Sequence, residues 1–191
     1  MVETCCRTGD AEAQFNLALM YRNGRGVSQN DKTAAKWYRL AAEQGNAYAQ
    51  FNLGLMYGKG QGVPQDYNTA VKWYRLATKQ GYAIAQFSLG MTYDNGQGVP
   101  QDYKTAVKWY RLAAEQGNPL AQGNLGVMYA LGKGVIKDFV YAHMWGNLGA
   151  SNGNENGGRL REIVANRMTP SQLEKAKRLA RECVRKKYKG C

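Results

Sequence analysis

Hydrophobic residues recur with helical spacing along most of the chain, in short segments joined by glycine-rich connections. One predicted helix, roughly 47–58, carries an apolar stripe made of Ala49, Leu53 and Tyr57. A second, roughly 66–80, carries a stripe made of Ala70, Trp73, Tyr74 and Ala77, with basic residues on the opposite face. The connecting "GKGQGVPQD" concentrates glycine and proline, which break helices. The pattern predicts a unit of two helices, A and B.

This unit returns at an interval of 36 residues, most visibly at Trp37, Trp73, Trp109 and Trp145. One two-helix unit cannot bury its own apolar stripe, so each must stack on the next. The repeat therefore predicts an all-α solenoid in which every copy covers the preceding one. The tryptophans are predicted to be buried, so truncating one should cost about 3–5 kcal/mol. Small residues that let helices approach recur at Ala18, Gly54, Gly90 and Gly126.

Capping residues mark the predicted boundaries of these helices. Asp66 and Asp102 are predicted N-caps of helix B, because a carboxylate can accept hydrogen bonds from first-turn amides. Helix B is predicted to end before a left-handed glycine at Gly45, Gly81 and Gly117. Near the C-terminus, Thr169, Pro170 and Gln172 form the pattern of a capping box.

The periodicity divides the chain into repeats within one solenoid domain. The predicted repeats are 9–44, 45–80, 81–116 and 117–153. Residues 1–8 align with the end of a helix B, so we interpret them as the remnant of a preceding repeat, and the chain as starting partway through an earlier unit. The segment "NENGG" breaks the rhythm, and 154–191 is predicted to be a capping region that ends in an amphipathic helix.

The repeat resembles the Sel-one-like repeat (SLR) family, which is related to tetratricopeptide repeats. The resemblance is clearest in "AQFNLGLMYGKGQGVPQDYNTAVKWYRLATKQG" at 49–81 and extends over 9–153. It implies a right-handed α/α superhelix that serves as an adaptor or scaffold for protein complexes. Some cysteine-rich bacterial members are described as penicillin-binding or β-lactamase proteins. Their cysteines lie inside the repeats, whereas the four cysteines here lie outside them.

Recognition is expected at helix A positions that change between copies, because stacking explains those that do not change. In related solenoids the A helices line the concave surface, where an apolar groove edged by amides suits an extended peptide. The candidate peptide-binding residues are Glu12, Phe15, Asn16, Leu19, Tyr48, Phe51, Asn52, Leu55, Ile84, Phe87, Ser88, Met91, Leu120, Asn124 and Val127. The alternative is that the phenylalanines pack against the next repeat and that the asparagines are merely solvated.

The formal net charge of +12 favours acidic partners in general. Half of it, +6, lies from Pro170 onward. Candidate anion-binding residues there are Lys177, Arg178, Arg181, Arg185 and Lys186. A basic row on helix B consists of Lys36, Arg39, Lys72, Arg75, Lys108 and Arg111, and a solvated face explains it as well. The alternative function is therefore electrostatic binding of an acidic protein, an anionic lipid surface or nucleic acid; nucleic acid is the least favoured, since base-stacking modules are absent.

Enzyme chemistry finds little support in the sequence, and neither catalytic residues nor cofactors nor a metal site are predicted. The single histidine, His143, occupies the helix B position of Val71 and Val107, so we interpret it as a packing residue. No triad-like neighbours accompany it. A protein that binds or hydrolyses β-lactams is a third alternative, resting on the family resemblance alone.

The sequence does not fix the cellular location of the protein or the redox state of its cysteines. No run reaches the ~18 apolar residues that a membrane span needs, and 1–10 lacks the apolar core of a signal peptide. Cys183 and Cys191 could form a disulfide in an oxidising compartment or remain two free thiols. Because bacterial members of the family are often exported, the resemblance favours an exported or periplasmic location.

Overall fold

The computed structural model describes residues 9–191, which form ten α-helices and no β-strand. The predicted all-α fold of helix-turn-helix repeats is confirmed, whereas the predicted remnant at 1–8 lies outside the described residues. The helices are α1 (Ala11–Asn23), α2 (Asp31–Glu43), α3 (Ala47–Lys59), α4 (Tyr67–Lys79), α5 (Ala83–Asn95), α6 (Tyr103–Ala114), α7 (Pro119–Leu131), α8 (Phe139–Ser151), α9 (Glu155–Ala165) and α10 (Pro170–Arg185).

The chain divides into two compact units, each with its own core. Unit 1 comprises residues 9–85 with Gln97–Val99, and unit 2 comprises Gln86–Gly96 with Pro100–Cys191. Helices α1 to α4 belong to unit 1. Helices α6 to α10 and most of α5 belong to unit 2.

Hydrogen-bonding caps set the helix boundaries where the sequence predicts them. The Asp66 carboxylate accepts a hydrogen bond from the Thr69 amide at 3.1 Å, and Asp102 accepts from the Thr105 amide at 3.1 Å. Gly45 follows α2 with φ of +92°, the left-handed conformation that favours glycine. Thr169 and Gln172 form the reciprocal capping box of α10. These four caps confirm the predicted boundaries.

The core of unit 1 shows how one repeat covers another. Most of its buried residues come from helix B of the first repeat and from helix A of the second. Among them Ala34, Tyr38, Ala41, Ala49, Leu53 and Met56 are all inaccessible to solvent. Burying a side chain such as Leu53 contributes roughly 1.5–3 kcal/mol. The apolar stripe of α2 is thus sheltered by α3, as the stacking argument predicts.

The tryptophans fit the predicted core only in the last copy, where Trp145 is fully buried. Trp37, Trp73 and Trp109 are only half-buried, and the tyrosines that follow them, Tyr38, Tyr74 and Tyr110, are buried instead. The cause is the small residue on helix A. A Cβ atom placed on Gly54 would lie 2.7 Å from the Tyr74 ring, and one on Gly90 would lie 2.7 Å from the Tyr110 ring. The ring that fills the space left by a glycine is therefore the tyrosine ring.

The C-terminal part of unit 2 contains a helix that the sequence analysis missed. The segment read as a break, "NENGG", starts α9, and the Asn154 side chain caps its first turn. Helix α9 packs on α8 at very close range, since a Cβ atom on Gly157 would lie 2.8 Å from the Gly146 carbonyl oxygen. Gly146 stands at the repeat position that holds tyrosine in the earlier copies. Helices α9 and α10 thus both pack on α8.

Helix α10 also carries the C-terminal disulfide of unit 2. The structure joins Cys183, which is buried, to Cys191 beyond the helix end. The chain between them is further held by the Tyr188 hydroxyl, which donates a hydrogen bond to the Asn152 side-chain oxygen at 3.2 Å. The last residues are thereby fixed against the end of α8.

Each unit contains two pairs of hydrogen-bonded side-chain amides, which we call the amide ladder. The rungs join the end of helix B to helix A of the same repeat: Gln44 to Gln14, Gln80 to Gln50, Gln116 to Gln86 and Asn152 to Gln122, at 2.7–3.1 Å. Gln50 and Gln122 also donate to the carbonyl oxygens of Ala42 and Ala114 in the preceding repeats, at 3.1 Å. Because the helix A glutamines Gln14, Gln50, Gln86 and Gln122 are buried, each bond satisfies a group that would otherwise destabilise the core.

Candidate functional site

The structure places the predicted peptide-binding residues at very different depths. Exposed members are Glu12, Asn16, Tyr48, Ile84, Met91, Leu120 and Val127. Half-buried members are Phe15, Leu19, Asn52, Leu55, Phe87, Ser88 and Asn124, and Phe51 is buried. The phenylalanines therefore have a packing role, whereas the outermost helix A positions present apolar side chains to solvent.

Unit 1 brings four aromatic rings together at the helix A side. We call Phe15, Tyr48, Phe51 and Tyr82 the aromatic cluster. The Phe15 and Tyr48 ring centroids are 5.9 Å apart, and the edge-to-face pairs Tyr48–Tyr82 and Phe51–Tyr82 are 5.0 and 5.4 Å apart. Such pairs stabilise by about 0.5–1.5 kcal/mol beyond area burial. The Tyr48 side of the cluster faces solvent, since Tyr48 is 53% exposed.

Tyr82 occupies a repeat position that is otherwise reserved for helix capping. The residue preceding helix A is Asp10, Asn46, Asn118 or Asn154 in the other copies, and in each its side chain caps the first turn. Tyrosine is not among the residues that cap in this way, and losing a cap costs about 1 kcal/mol. Sequence analysis missed Tyr82, although its departure from the repeated Asx residue was visible.

Electrostatic and hydrogen-bonding partners surround the aromatic cluster. The Arg22 guanidinium donates to the Asn52 side-chain oxygen at 2.7 Å, and the Asn52 nitrogen donates to the Tyr48 carbonyl oxygen at 2.8 Å. Both ends of the Asn52 amide are therefore engaged, and Arg22 is held one helical turn from Tyr48. Burial, with a smaller contribution from Tyr48, raises the pKa of Tyr82, so the Tyr82 hydroxyl is neutral near pH 7.

The helix A side of unit 2 is aliphatic rather than aromatic. Met91, Leu120 and Val127 are each 38–50% exposed. Phe87 packs on Tyr110 at 5.8 Å, and the Tyr110 hydroxyl donates to Asp94 at 3.0 Å. Burial, together with the nearby Asp94 carboxylate, raises the pKa of Tyr110. This side presents isolated apolar side chains without the clustered rings of unit 1.

The predicted basic residues divide into paired and unpaired groups. In the helix B row, Arg39 donates to the Tyr57 hydroxyl of the next repeat, and Arg111 donates likewise to Tyr129. These arginines thus link neighbouring repeats. On α10, Lys177 pairs with Glu174 at 2.8 Å and Arg178 with Glu182 at 3.8 Å. Within residues 9–191, the side chains of Arg181 and Arg185 form neither a hydrogen bond nor a salt bridge.

The structure gives His143 the packing position that the sequence predicts, with 4% of the residue exposed. Among the described residues, no hydrogen bond joins it to a serine, a cysteine or a carboxylate. Over the same residues, no group of three or more His, Cys, Asp or Glu side chains is placed to hold a metal ion. None of the helices α1 to α10 combines the length and apolar character that crossing a bilayer requires.

Stacked helix pairs with a 36-residue period define the class of α-helical repeat proteins, to which many protein-binding scaffolds belong. The model of the Sel1 repeat matches residues 11–46, 47–82, 83–118 and 119–154. The chain therefore belongs to the Sel1 repeat family, as the resemblance in the sequence indicates. Members of this family are generally scaffolds for protein–protein interactions and are typically non-catalytic.

Solved structures similar to the chain include two from bacteria. One is c5321, a protective antigen of uropathogenic Escherichia coli with an SLR fold, at 36% identity and a TM-score of 0.91, covering 98% of this chain and 40% of that one. The other is a Sel1 repeat protein from Oxalobacter formigenes, at 40% identity and a TM-score of 0.75, covering 80% of this chain and 63% of that one. The chain thus spans less than two thirds of either protein. No curated protein matches it.

Proposed function

We propose that the protein is a non-catalytic scaffold that binds a peptide segment of a partner protein on the helix A side of unit 1. The observation that carries this proposal is Tyr82, which replaces a capping residue and completes an aromatic cluster open to solvent at Tyr48. Stacking alone favours an asparagine or aspartate at this position, as in the other copies. A residue that lowers helix stability and presents a ring is typical of a binding surface.

The cluster suits a partner segment that presents an apolar side chain. Tyrosine rings supply large contact areas with few rotatable bonds, so they lose little entropy on binding. The edges of Tyr48 and Tyr82 would contact the apolar side chain, and their hydroxyls can bond to the partner backbone. Arg22, held by Asn52, adds a positive charge beside the cluster. The amide of Asn52 itself is engaged, so we assign it a supporting role.

The test uses peptides selected against the intact protein from a random display library, with affinity measured by fluorescence anisotropy. We expect Tyr48→Ala and Tyr82→Asn each to weaken binding at least about tenfold, as for aromatic residues at interface hot spots. Tyr82→Asn is the sharper variant because asparagine restores the cap at the position where it removes the ring. Its unfolding free energy should change by less than about 1 kcal/mol, since the regained cap offsets the lost ring contacts.

Leu40→Ala is the matched control. Leu40 is a 44% exposed apolar side chain on α2, in the same unit but on helix B. This variant should bind the selected peptides within about twofold of the unchanged protein, as expected away from a hot spot. If Leu40→Ala weakens binding as much as the tyrosine variants do, or if neither tyrosine variant weakens it, the helix A side of unit 1 is not the binding site.

A further inference from the structure

A groove of about 570 Å³ lies between α8 and α10 in unit 2, outside the surface proposed above. Its volume falls within the range of small-molecule binding pockets, about 300–1,000 Å³, so it has room for side chains of a partner. The lining residues that matter here are Asn147, Leu148 and Ser151 from α8 and Arg181, Val184 and Arg185 from α10. Every residue of the groove belongs to one compact unit.

The groove combines an apolar base with positive charge. Leu148 is buried at its base, whereas Val184 is 52% exposed. Arg181 and Arg185 are four residues apart on α10, so their side chains project on one face about 6 Å apart at Cβ. The neighbouring cations Lys177 and Arg178 are already paired with glutamates. No carboxylate lines the groove, and over residues 9–191 its two arginines form no salt bridge.

Hydrogen-bonding groups line the opposite wall. The Asn147 side-chain oxygen accepts from Arg161 at 3.1 Å, which leaves the amide NH₂ as a donor. Ser151 lies one turn further along α8 and is exposed. All the polar groups free to act in the groove are thus donors, apart from the serine hydroxyl, which can also accept. The complementary ligand is an acceptor-rich, negatively charged one with an apolar part.

We infer that this groove binds an acidic amphipathic segment of a partner protein. An apolar side chain of that segment contacts Val184 and Leu148, while two of its carboxylates, one helical turn apart, pair with Arg181 and Arg185. Arginine favours this role because its planar fork bonds to carboxylates in a bidentate manner. Nucleic acid is not favoured, since no aromatic ring lines the groove for base stacking. A flat membrane surface does not match a concave groove between two helices.

The experiment measures binding of a short fluorescein-labelled peptide made of alternating Glu-Glu and Leu-Leu pairs to the full chain, by fluorescence anisotropy at low salt. Arg181→Ala combined with Arg185→Ala should weaken binding at least about tenfold, because each substitution removes a charge-assisted contact. The matched control is Lys175→Ala combined with Arg178→Ala, which changes the net charge equally on the same helix. This control should weaken binding less than about threefold, through the long-range field alone.

Two further measurements separate the groove from general attraction of anions. A labelled peptide with serine in place of each leucine keeps the charge, and it should bind at least about tenfold more weakly because the apolar contact is lost. Val184→Ser should weaken the Glu-Leu peptide without changing the binding of the Glu-Ser peptide. Far-UV circular dichroism and thermal unfolding verify that each variant is folded.

Several outcomes would overturn the inference: no binding of the Glu-Leu peptide, equal losses in the two double variants, or equal binding of the Glu-Ser peptide. Binding to phosphatidylglycerol vesicles that depends on Arg181 and Arg185, without peptide binding, would reassign the groove to lipid. Tyr82→Asn should leave Glu-Leu peptide binding unchanged. The two proposed surfaces therefore stand or fall independently.

Discussion

Gly134, in the loop between α7 and α8, offers the sharpest test of how the repeats are held together. It has φ of +69°, and a Cβ atom there would lie 2.3 Å from the Tyr103 carbonyl oxygen and 2.8 Å from the Lys104 amide nitrogen. Ordinary contacts begin near 3.4 Å, so the backbone would have to separate by about 1 Å. Tyr103 begins helix B of the preceding repeat. Gly134 therefore allows the backbones of two neighbouring repeats to lie in direct contact.

Two costs add when Gly134 is replaced by alanine. Placing alanine in the left-handed region costs about 1–2 kcal/mol. Separating the two backbones adds about 1–3 kcal/mol, the usual cost of overpacking a close contact. Gly134→Ala should therefore lower the free energy of unfolding by about 2–5 kcal/mol. Gly132→Ala, in the same loop with φ of +71°, is the matched control, because its Cβ would lie 3.2 Å from the Lys137 Cβ and 3.5 Å from the Lys137 amide nitrogen, well beyond the 2.3 Å contact at Gly134.

Urea unfolding followed by far-UV circular dichroism measures both variants. The Gly134→Ala midpoint should fall well below that of Gly132→Ala, which should show only the conformational cost of about 1–2 kcal/mol. Gly62→Ala provides an independent repetition in unit 1, since its Cβ would lie 2.3 Å from the Asp31 carbonyl oxygen. Equal midpoints for Gly134→Ala and Gly132→Ala would show that the loop yields freely, and the close-contact argument would then be wrong.

Three further predictions concern buried polar groups and the disulfide. Burial, with Arg161 and Lys177 nearby, lowers the pKa of His143 from 6.5. Below about pH 6.5 the unfolded chain therefore binds more protons than the folded chain, and the free energy of unfolding falls. Replacing His143 by valine, the residue at Val71 and Val107, should abolish this loss. Unfolding midpoints compared between about pH 7.5 and pH 5 measure it. Gln122→Leu removes the partner of the Asn152 amide and one of the two hydrogen bonds that the Ala114 carbonyl accepts, the other coming from the Gly117 amide. It should therefore cost about 1–3 kcal/mol in urea unfolding, and Gln44→Leu, at an exposed position, should cost less. Cys191→Ser should lower the free energy of unfolding by about 2–3 kcal/mol in the chain-entropy model, and an unchanged melting temperature would contradict a stabilising role for the bond.

The sequence allowed the repeat architecture to be predicted because stacking imposes the same requirement on every copy. The caps at Asp66, Asp102 and Thr169 could be read directly, since capping depends on a few neighbouring residues. The packing of α2 against α3 could be predicted because each helix carries an apolar stripe that its own repeat cannot bury. These features are local or periodic. A single chain with four copies supplies enough repetition to recognise them.

Features that depend on fine packing could not be predicted in this way. Tyr74 and Trp73 are adjacent and both aromatic, and only the ring position above Gly54 shows which of them is buried. Helix α9 was missed because Gly157 and Gly158 usually break helices, whereas here Gly157 allows the backbone of α9 to contact that of α8. The glutamines of the amide ladder were visible as a repeated residue. Their hydrogen-bond partners could not be predicted, because the two residues of each pair are 30 positions apart in the sequence.

A departure from the repeat indicates function only after packing has been considered as its cause. Gly146 replaces the repeated tyrosine, and the contact of its backbone with Gly157 in α9 explains the change completely. Tyr82 differs, because its ring packs on Phe51 and Tyr48, whereas the equivalent residues Asn46 and Asn118 cap their helices and carry no ring. Its ring is partly exposed, and it rests on Tyr48, which is itself open to solvent. Since a solenoid gains stability from uniform repeats, the loss of a cap in exchange for an accessible ring favours selection for binding at this position.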